Sequence, residues 1–306
     1  MKAVRLHRRG DPAAFSYEEA PRPTPGDGEV LVRVHAAAVT PTELRWRPTS
    51  MTHSGAPRPL PIILGHEFSG EISAVGPGVR GVDQGDAVYG LNDWFCEGAQ
   101  GEYCVARATD IAPKPRRASH VEAAVTPISA LTAWQGLIER ARLSAGQRVL
   151  IHGAAGGVGS FAVQLARWCG ARAIGTVSAA NLPFVRDLGA EETIDYRATR
   201  FEQVVHDVDA VFDTVGGDTL ARSWAVLKPG GTLITIAASE EGAADPRTQA
   251  AFFIVEPNRT QLAEVTRLID AGDLRPIVGG VFPLVDAIRA YAHKPVHGKA
   301  VLRVVD

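Results

Sequence analysis

The chain has 306 residues, 45% of them hydrophobic, with 32 basic side chains against 34 acidic ones and a formal net charge of −2. That length exceeds what one hydrophobic core usually organises and predicts two domains, while the mixed charge leaves no basic stripe for nucleic acid and no acidic tail. No apolar run is long enough to span a bilayer, the first seven residues lack the apolar core of a signal peptide, and Cys96, Cys104 and Cys169 do not make a disulfide framework, so a cytoplasmic protein with neither membrane nor nucleic acid as partner is expected.

In chain order, the first third reads as short strands broken by Pro and Gly. Residues 29–35 alternate with period two and 70–75 follow similarly, which predicts a β-rich domain, and the Pro-, Ser- and Thr-rich stretch 45–61 reads as a surface loop over the entrance to a site. From about Val121 helix and strand alternate: a helix through 130–138, a strand at 148–152, a helix with Phe161, Leu165, Ala166 and Cys169 on one face that stops at Gly170, and a strand over 171–177. Further on, 209–215 reads as a strand, 227–231 as a helix stop and turn, 232–237 as a strand, 261–271 as a helix and 300–305 as the last strand. Such repeated β-α-β units predict an α/β fold with a doubly wound parallel sheet, covered on both faces and joined by right-handed crossovers.

The stretch Arg148-Val-Leu-Ile-His-Gly-Ala-Ala-Gly-Gly-Val-Gly-Ser160 sets a glycine-rich turn between an apolar strand and an amphipathic helix. Read as the dinucleotide fingerprint it is the Ala variant, with Ala154, Gly156 and Gly159 at the three marked positions. Gly156 then admits a pyrophosphate closely, and Gly159 lets helix and strand pack tightly. The backbone of Ala155, Gly156, Gly157 and Val158 would hold the phosphates at the positive end of the helix, with no basic side chain required.

Several segments occur in an order that resembles the medium-chain dehydrogenase/reductase superfamily, in its zinc-independent NADPH:quinone oxidoreductase-like branch. They are Gly65-His-Glu-Phe-Ser-Gly70, Val75-Gly-Pro-Gly-Val79, Gly85-Asp-Ala-Val88, Leu131-Thr-Ala-Trp-Gln135, the glycine-rich turn, Leu188-Gly-Ala-Glu191, Ile194-Asp-Tyr196, Asp213-Thr-Val-Gly-Gly217 and Leu227-Lys-Pro-Gly-Gly231. The resemblance implies a Rossmann NADP-binding domain at 122–256, inserted in a discontinuous, β-rich GroES-like catalytic domain formed by 1–121 and 257–306. It also implies a homodimer paired through the edge strand of the cofactor domain, at about 251–255. By position in the family, Thr132 would meet the carboxamide end of nicotinamide, Val215, Ile236 and Ala237 would line the cofactor groove, Phe253, Ile254 and Val255 would flank the ring, and Gly298 with Lys299 would close over it. Thr40, Glu43 and Trp46 on one side, and Asn92-Asp-Trp-Phe95 on the other with Trp94 foremost, are the candidates for the substrate wall.

Catalytic zinc in related alcohol dehydrogenases needs three protein ligands. His66 stands where the histidine would be, but Pro41 and about Ile128 occupy the two cysteine positions, so no metal is expected and His66 and Glu67 read as structural. Hydride transfer without a metal requires an electrophilic acceptor, a quinone or an α,β-unsaturated carbonyl. NADPH is expected over NADH, because Thr176-Val-Ser-Ala-Ala-Asn181 carries no carboxylate to bind free ribose hydroxyls, while Ser178, Asn181, Tyr196 and Arg197 offer donors to a 2′-phosphate. Two other readings stay open on the sequence: a zinc alcohol dehydrogenase and a non-catalytic NADPH-binding redox sensor.

Overall fold

The computed structural model describes residues 1–237, 239 and 241–305. Its N-terminal half contributes the strands β1 (Lys2–Leu6), β2 (Phe15–Glu19), β3 (Glu29–Ala38), β4 (Ile62–Ile63), β5 (Glu67–Val75), β6 (Ala87–Leu91), β7 (Tyr103–Arg107) and β8 (Ile111–Pro113). β9 (Arg148–His152), β10 (Arg172–Val177), β11 (Glu192–Asp195), β12 (Val208–Asp213) and β13 (Leu227–Thr235) follow, and β14 (Val278–Pro283) and β15 (Lys299–Arg303) close the chain.

β9 to β13 form a parallel sheet in the order β11-β10-β9-β12-β13, the doubly wound pattern, with the chain reversing direction between β9 and β12. The centre of β9, Val149 to Ile151, is apolar because it is covered on both faces: Val149 and Ile151 join one hydrophobic cluster, and Leu150 joins another. The other sheet runs β14-β15-β3-β5-β6-β8 with β7 also on β3, so the last strands of the chain return to the N-terminal half. β15 pairs antiparallel with the end of β3, Val301 opposite Ala38. Small residues at Ala36, Ala38 and Ala124 let the helix His120–Ala124 lie close on this sheet. The helix is started by a Ser119–Glu122 capping box.

Four expectations shift. The helix expected at 130–138 begins earlier, at Pro127, and passes after Trp134 into a π-helical stretch over Gln135–Arg140. Residues 227–231, expected as a turn, already belong to β13, whose Pro-Gly-Gly is absorbed by a register shift against β12. No strand forms at 251–255: Ala251 ends the helix Pro246–Ala251, and Phe252 makes only an isolated bridge to Thr235. Within the 45–61 stretch a short helix, Arg47–Ser50, is tied down by Arg58, a buried side chain that donates to Thr49 O at 3.1 Å and pairs with Glu97 at 2.8 Å. Among the described residues no helix is long and apolar enough to cross a membrane.

Candidate active site

The glycine-rich turn sits at the C-terminal end of β9, where the strand order reverses and such sheets open a crevice. Gly156 precedes the helix Gly157–Trp168 with φ −73°, an ordinary conformation, so space and not backbone strain calls for glycine there. A Cβ at Gly156 would meet only Gly153 O, at 3.3 Å, whereas one at Gly159 would stand 2.2 Å from that same oxygen. Gly159 therefore permits the tight turn, and Gly156 leaves open backbone facing the cleft. The N–H groups of Val158 and Gly159, in the first turn, have no acceptor within the helix, and both residues line the cleft. From the opposite side Gly298 N–H donates to Ala155 O at 3.0 Å, docking the segment before β15 against the turn.

Two cavities meet at this turn. One, of about 850 Å³, is lined by Ala155, Gly156, Ser178, Asn181, Tyr196 and Val215 together with His152, Arg200, Arg222 and Pro295. The other, of about 340 Å³, is lined by Thr40, Thr132, Gly156, Gly157, Val158, Ile236, Ala237, Phe253, Ile254, Val255 and Lys299, and also by Trp46, Ile128 and Ser129. Gly156, Thr214 and Pro295 line both, so they form one cleft. Its shape and its open glycine backbone fit a dinucleotide, with adenosine in the larger lobe and nicotinamide in the smaller.

The structure moves four expected residues away from the roles given to them. Glu43 is buried behind the smaller cavity: its carboxylate accepts from Gly65 N at 2.9 Å, His66 N at 3.3 Å and His66 Nδ1 at 2.7 Å. Trp94 does not line this cleft either; its indole N–H is spent on Val255 O at 2.9 Å, and it meets edge-on, at 4.9 Å, Trp46, which lines the smaller cavity together with Phe253. Asn181 lines the larger lobe, but both ends of its amide are engaged, by Val296 O at 3.2 Å and His297 Nε2 at 3.0 Å. Arg197 is exposed, 5.5 Å from the centroid of the Tyr196 ring, and the cations lining the larger lobe are Arg200 and Arg222, bound to Glu202 at 2.7 Å each.

Two buried polar groups shape the floor. Glu67 is fully buried, accepts Ile128 N–H at 2.9 Å, is within 3.5 Å of Thr40 Oγ1, and forms an ion pair with Lys299. Burial pushes the Glu67 carboxyl up, and the Lys299 ammonium opposes that shift. His152 bridges Thr176 Oγ1 and Ser223 Oγ at 2.9 Å each, and burial pushes its imidazole down to about 3, so it is a neutral tie between β9, β10 and the helix Gly217–Ser223. Asp213 fixes the loop after β12 by accepting from Val215 N at 3.1 Å, Gly216 N at 3.0 Å and Thr235 Oγ1 at 2.8 Å.

Sequence reasoning missed Ser129, Arg200 and Arg222, whereas Trp46, expected at the substrate wall, does line the smaller cavity. Ser129 had a signal, since it stands one turn before Thr132 on the same helix face; its buried hydroxyl has no hydrogen-bond partner in the protein. Arg200, just before a short helical turn, and Arg222, in the last turn of the helix Gly217–Ser223, reach the cleft through tertiary placement that no spacing encodes.

The donor set around His66 does not suit catalytic zinc. Pro41 and Ile128 carry no ligand atom, and both ring nitrogens of His66 face acceptors, Glu43 Oε2 at 2.7 Å and Cys96 O at 3.1 Å. Among the described residues the clusters with metal-ligating spacing lie elsewhere and exclude His66.

Residues 26–116 match the family model for an alcohol dehydrogenase GroES-like domain, and residues 188–302 match that for a zinc-binding dehydrogenase. The chain is 33% identical to a probable zinc-binding mitochondrial oxidoreductase of Arthroderma benhamiae, covering 93% of this chain and 92% of that one. It is 32% identical to a 2-haloacrylate reductase of a Burkholderia species, covering 98% and 96%. The quinone oxidoreductase of Coxiella burnetii superposes with a TM-score of 0.89 at 30% identity over 100% of this chain and 99% of that one. A mycobacterial protein solved as a complex with NADPH does so with a TM-score of 0.83 at 31% identity, covering 99% and 100%. The chain belongs to the medium-chain dehydrogenase/reductase superfamily, among its quinone oxidoreductase-like members, and is an oxidoreductase that uses a nicotinamide cofactor.

Proposed function

We propose that this medium-chain dehydrogenase/reductase is a zinc-independent, NADPH-dependent reductase that adds hydride to an activated double bond, that of a quinone or of an α,β-unsaturated carbonyl compound. The observation that carries the reading is the makeup of the smaller cavity. It opens from the glycine-rich turn, is mostly apolar, and offers a lysine and a threonine hydroxyl but no metal-ligand set around His66. An alcohol needs a Lewis acid to be oxidised in such a site; an electron-poor alkene or quinone needs only orientation, a partner for its oxygen and exclusion of water.

Bound nicotinamide supplies the hydride. Gly156 and the first turn of the helix Gly157–Trp168 hold the pyrophosphate, and Phe253 and Val255, both buried, form a rigid side to the cavity. The Lys299 ammonium, anchored by Glu67, is placed to offset negative charge that develops on the acceptor oxygen. Trp46 presents a flat apolar surface suited to a planar acceptor. Protonation of the enolate or quinol anion can come from solvent. Preference for NADPH is supported by the absence of a carboxylate at the end of β10 and by Arg200 and Arg222 on the wall of the larger lobe. A homodimer belongs to the same reading, since beyond the single bridge at Phe252 the outer edge of β13 has no partner strand among the described residues.

The deciding experiment follows NADPH oxidation against a panel of quinones, enals, cyclic enones and simple alcohols or ketones, with metal content measured on the same protein. Turnover confined to the conjugated acceptors and unaffected by chelation is expected. Activity on unactivated alcohols that tracks stoichiometric zinc would overturn the proposal.

A further inference from the structure

On the catalytic domain, away from the cleft, three ligand-bearing side chains converge from three separate elements: His35 from β3, Glu71 from β5, and His120 from the first turn of the helix His120–Ala124. One ligand atom from each lies within 4.8 Å of the other two. We propose that His35, Glu71 and His120 form a binding site for a zinc-class divalent transition-metal ion, with solvent completing the coordination.

The protonation pattern favours ligation. Ser69 Oγ donates to Val88 O at 3.0 Å, and because a hydroxyl has one proton, its 2.8 Å contact with His120 Nδ1 must be one in which the ring N–H donates. Nδ1 of His120 is therefore protonated and Nε2 keeps its lone pair. This is the way an outer hydrogen bond fixes the tautomer of a metal-bound imidazole. His35 Nε2 is buried with no hydrogen bond, and Glu71 Oε2 stands 3.7 Å from it, beyond hydrogen-bond reach. Two ligands at about 2.0–2.1 Å from a tetrahedral zinc are themselves roughly 3.3 Å apart, so an ion would draw this pair together by only a few tenths of an ångström.

Two imidazoles and one carboxylate suit zinc, nickel or copper, and match calcium or magnesium poorly. Glu71 is 45% exposed and His35 20%, so an ion can enter from solvent and retain a water. The rings stack at 4.2 Å with 19° between planes, and sharing an ion requires one of them to turn about χ2, a broad torsion for histidine. The second cluster with ligand spacing, His53, Asp93 and Cys96, is less suited, because Asp93 already pairs with Arg107 at 2.7 Å and with His53 at 2.8 Å. An ion on His120 would pin the helix that leads directly into Pro127–Trp134, which carries Ile128 and Thr132 to the cleft.

The test is calorimetric titration of chelator-treated, dialysed full-length protein with Zn²⁺, repeated with Co²⁺ to read its visible d–d absorption. The wild-type protein should take up one equivalent at this site with cobalt bands of low coordination number. His35→Ala, Glu71→Gln and His120→Ala should each weaken binding at least tenfold, and Ser69→Ala by about ten- to a hundredfold through loss of the tautomer lock. His53→Ala should leave it unchanged. Circular dichroism verifies that each variant is folded, and His120→Asn, at a half-buried helix start, serves if the alanine variant is not. Absence of binding to folded wild-type protein, or binding that persists undiminished in the His35→Ala/His120→Ala double variant, overturns the site.

Discussion

Replacing Lys299 with methionine isolates the buried ion pair beneath the proposed nicotinamide lobe. Glu67 is fully buried, and besides Lys299 its carboxylate has only the Ile128 N–H at 2.9 Å and a long contact to Thr40 at 3.5 Å. Removing one partner of such a pair leaves an uncompensated charge and costs about 3–5 kcal/mol. At roughly 2–4 °C per kcal/mol for a chain of this size, the melting temperature should fall by about 6–20 °C at pH 8. The loss should depend on pH. Desolvation already raises the Glu67 pKa, and Lys299 lowers it both coulombically and by hydrogen bonding, so Lys299→Met raises the folded-state pKa further above its unfolded value. A group with a raised folded pKa contributes stability that is fully present below the unfolded pKa and is lost as pH rises through the folded pKa. The variant should therefore lie closer to wild type at pH 5 than at pH 8. Glu67→Gln/Lys299→Met, which has no buried charge, should recover much of the loss at pH 8 and show little pH dependence of its own. Scanning calorimetry of the four proteins at both pH values completes the cycle. A deficit of equal size at both pH values, or a double variant no more stable than Lys299→Met, would refute the reasoning.

Gly156→Val places an isopropyl group in the opening at the turn with only Gly153 O nearby, so it should fold normally and lose measurable NADPH binding by fluorescence titration; unchanged affinity would remove the turn from the site. His66→Ala should destabilise the protein, since it strips Glu43 of its buried partner, while specific activity of the folded fraction stays within about tenfold of wild type; complete loss in folded protein would point to a catalytic imidazole. Ser178→Asp should lower the ratio of kcat/KM for NADPH over NADH by roughly ten- to a hundredfold, by repelling a 2′-phosphate and accepting from free ribose hydroxyls, and a wild-type preference for NADH would overturn the assignment. Arg200→Ala and Arg222→Ala should raise KM for NADPH selectively whereas Arg197→Ala should not, and the reverse order would restore Arg197 to the pocket.

Periodicity made the parallel sheet legible because β9 and its neighbours are buried on both faces, and the glycine-rich turn was legible because its requirement is local: 2.2 Å of clearance at Gly159 leaves no alternative to glycine. The mistaken strand at 251–255 and the mistaken turn at 227–231 have the opposite character. Leu-Lys-Pro-Gly-Gly carries strong turn chemistry, yet Leu227 pairs with Val208 of β12, Thr232 with Ala210, and the irregularity between them takes up the three extra residues of β13. Phe252 to Val255 look like an edge strand, but Phe253 and Val255 are buried as parts of the cavity wall, and Trp94 takes the carbonyl of Val255. The same cause misplaced the site residues. Resemblance to the family puts Glu43 and Trp94 at the substrate wall, but whether such a side chain reaches the cavity depends on hydrogen-bond partners distant in the sequence. Glu43 turns to the backbone of Gly65 and His66, Trp94 turns to Val255, and Trp46 takes the wall instead. Where one glycine needs room, the sequence states the need at that position. Where a polar side chain must choose a partner, the fold makes the choice, and the chemistry of this cleft depends on three such choices: Lys299 with Glu67, Glu43 with His66, and Arg200 with Glu202.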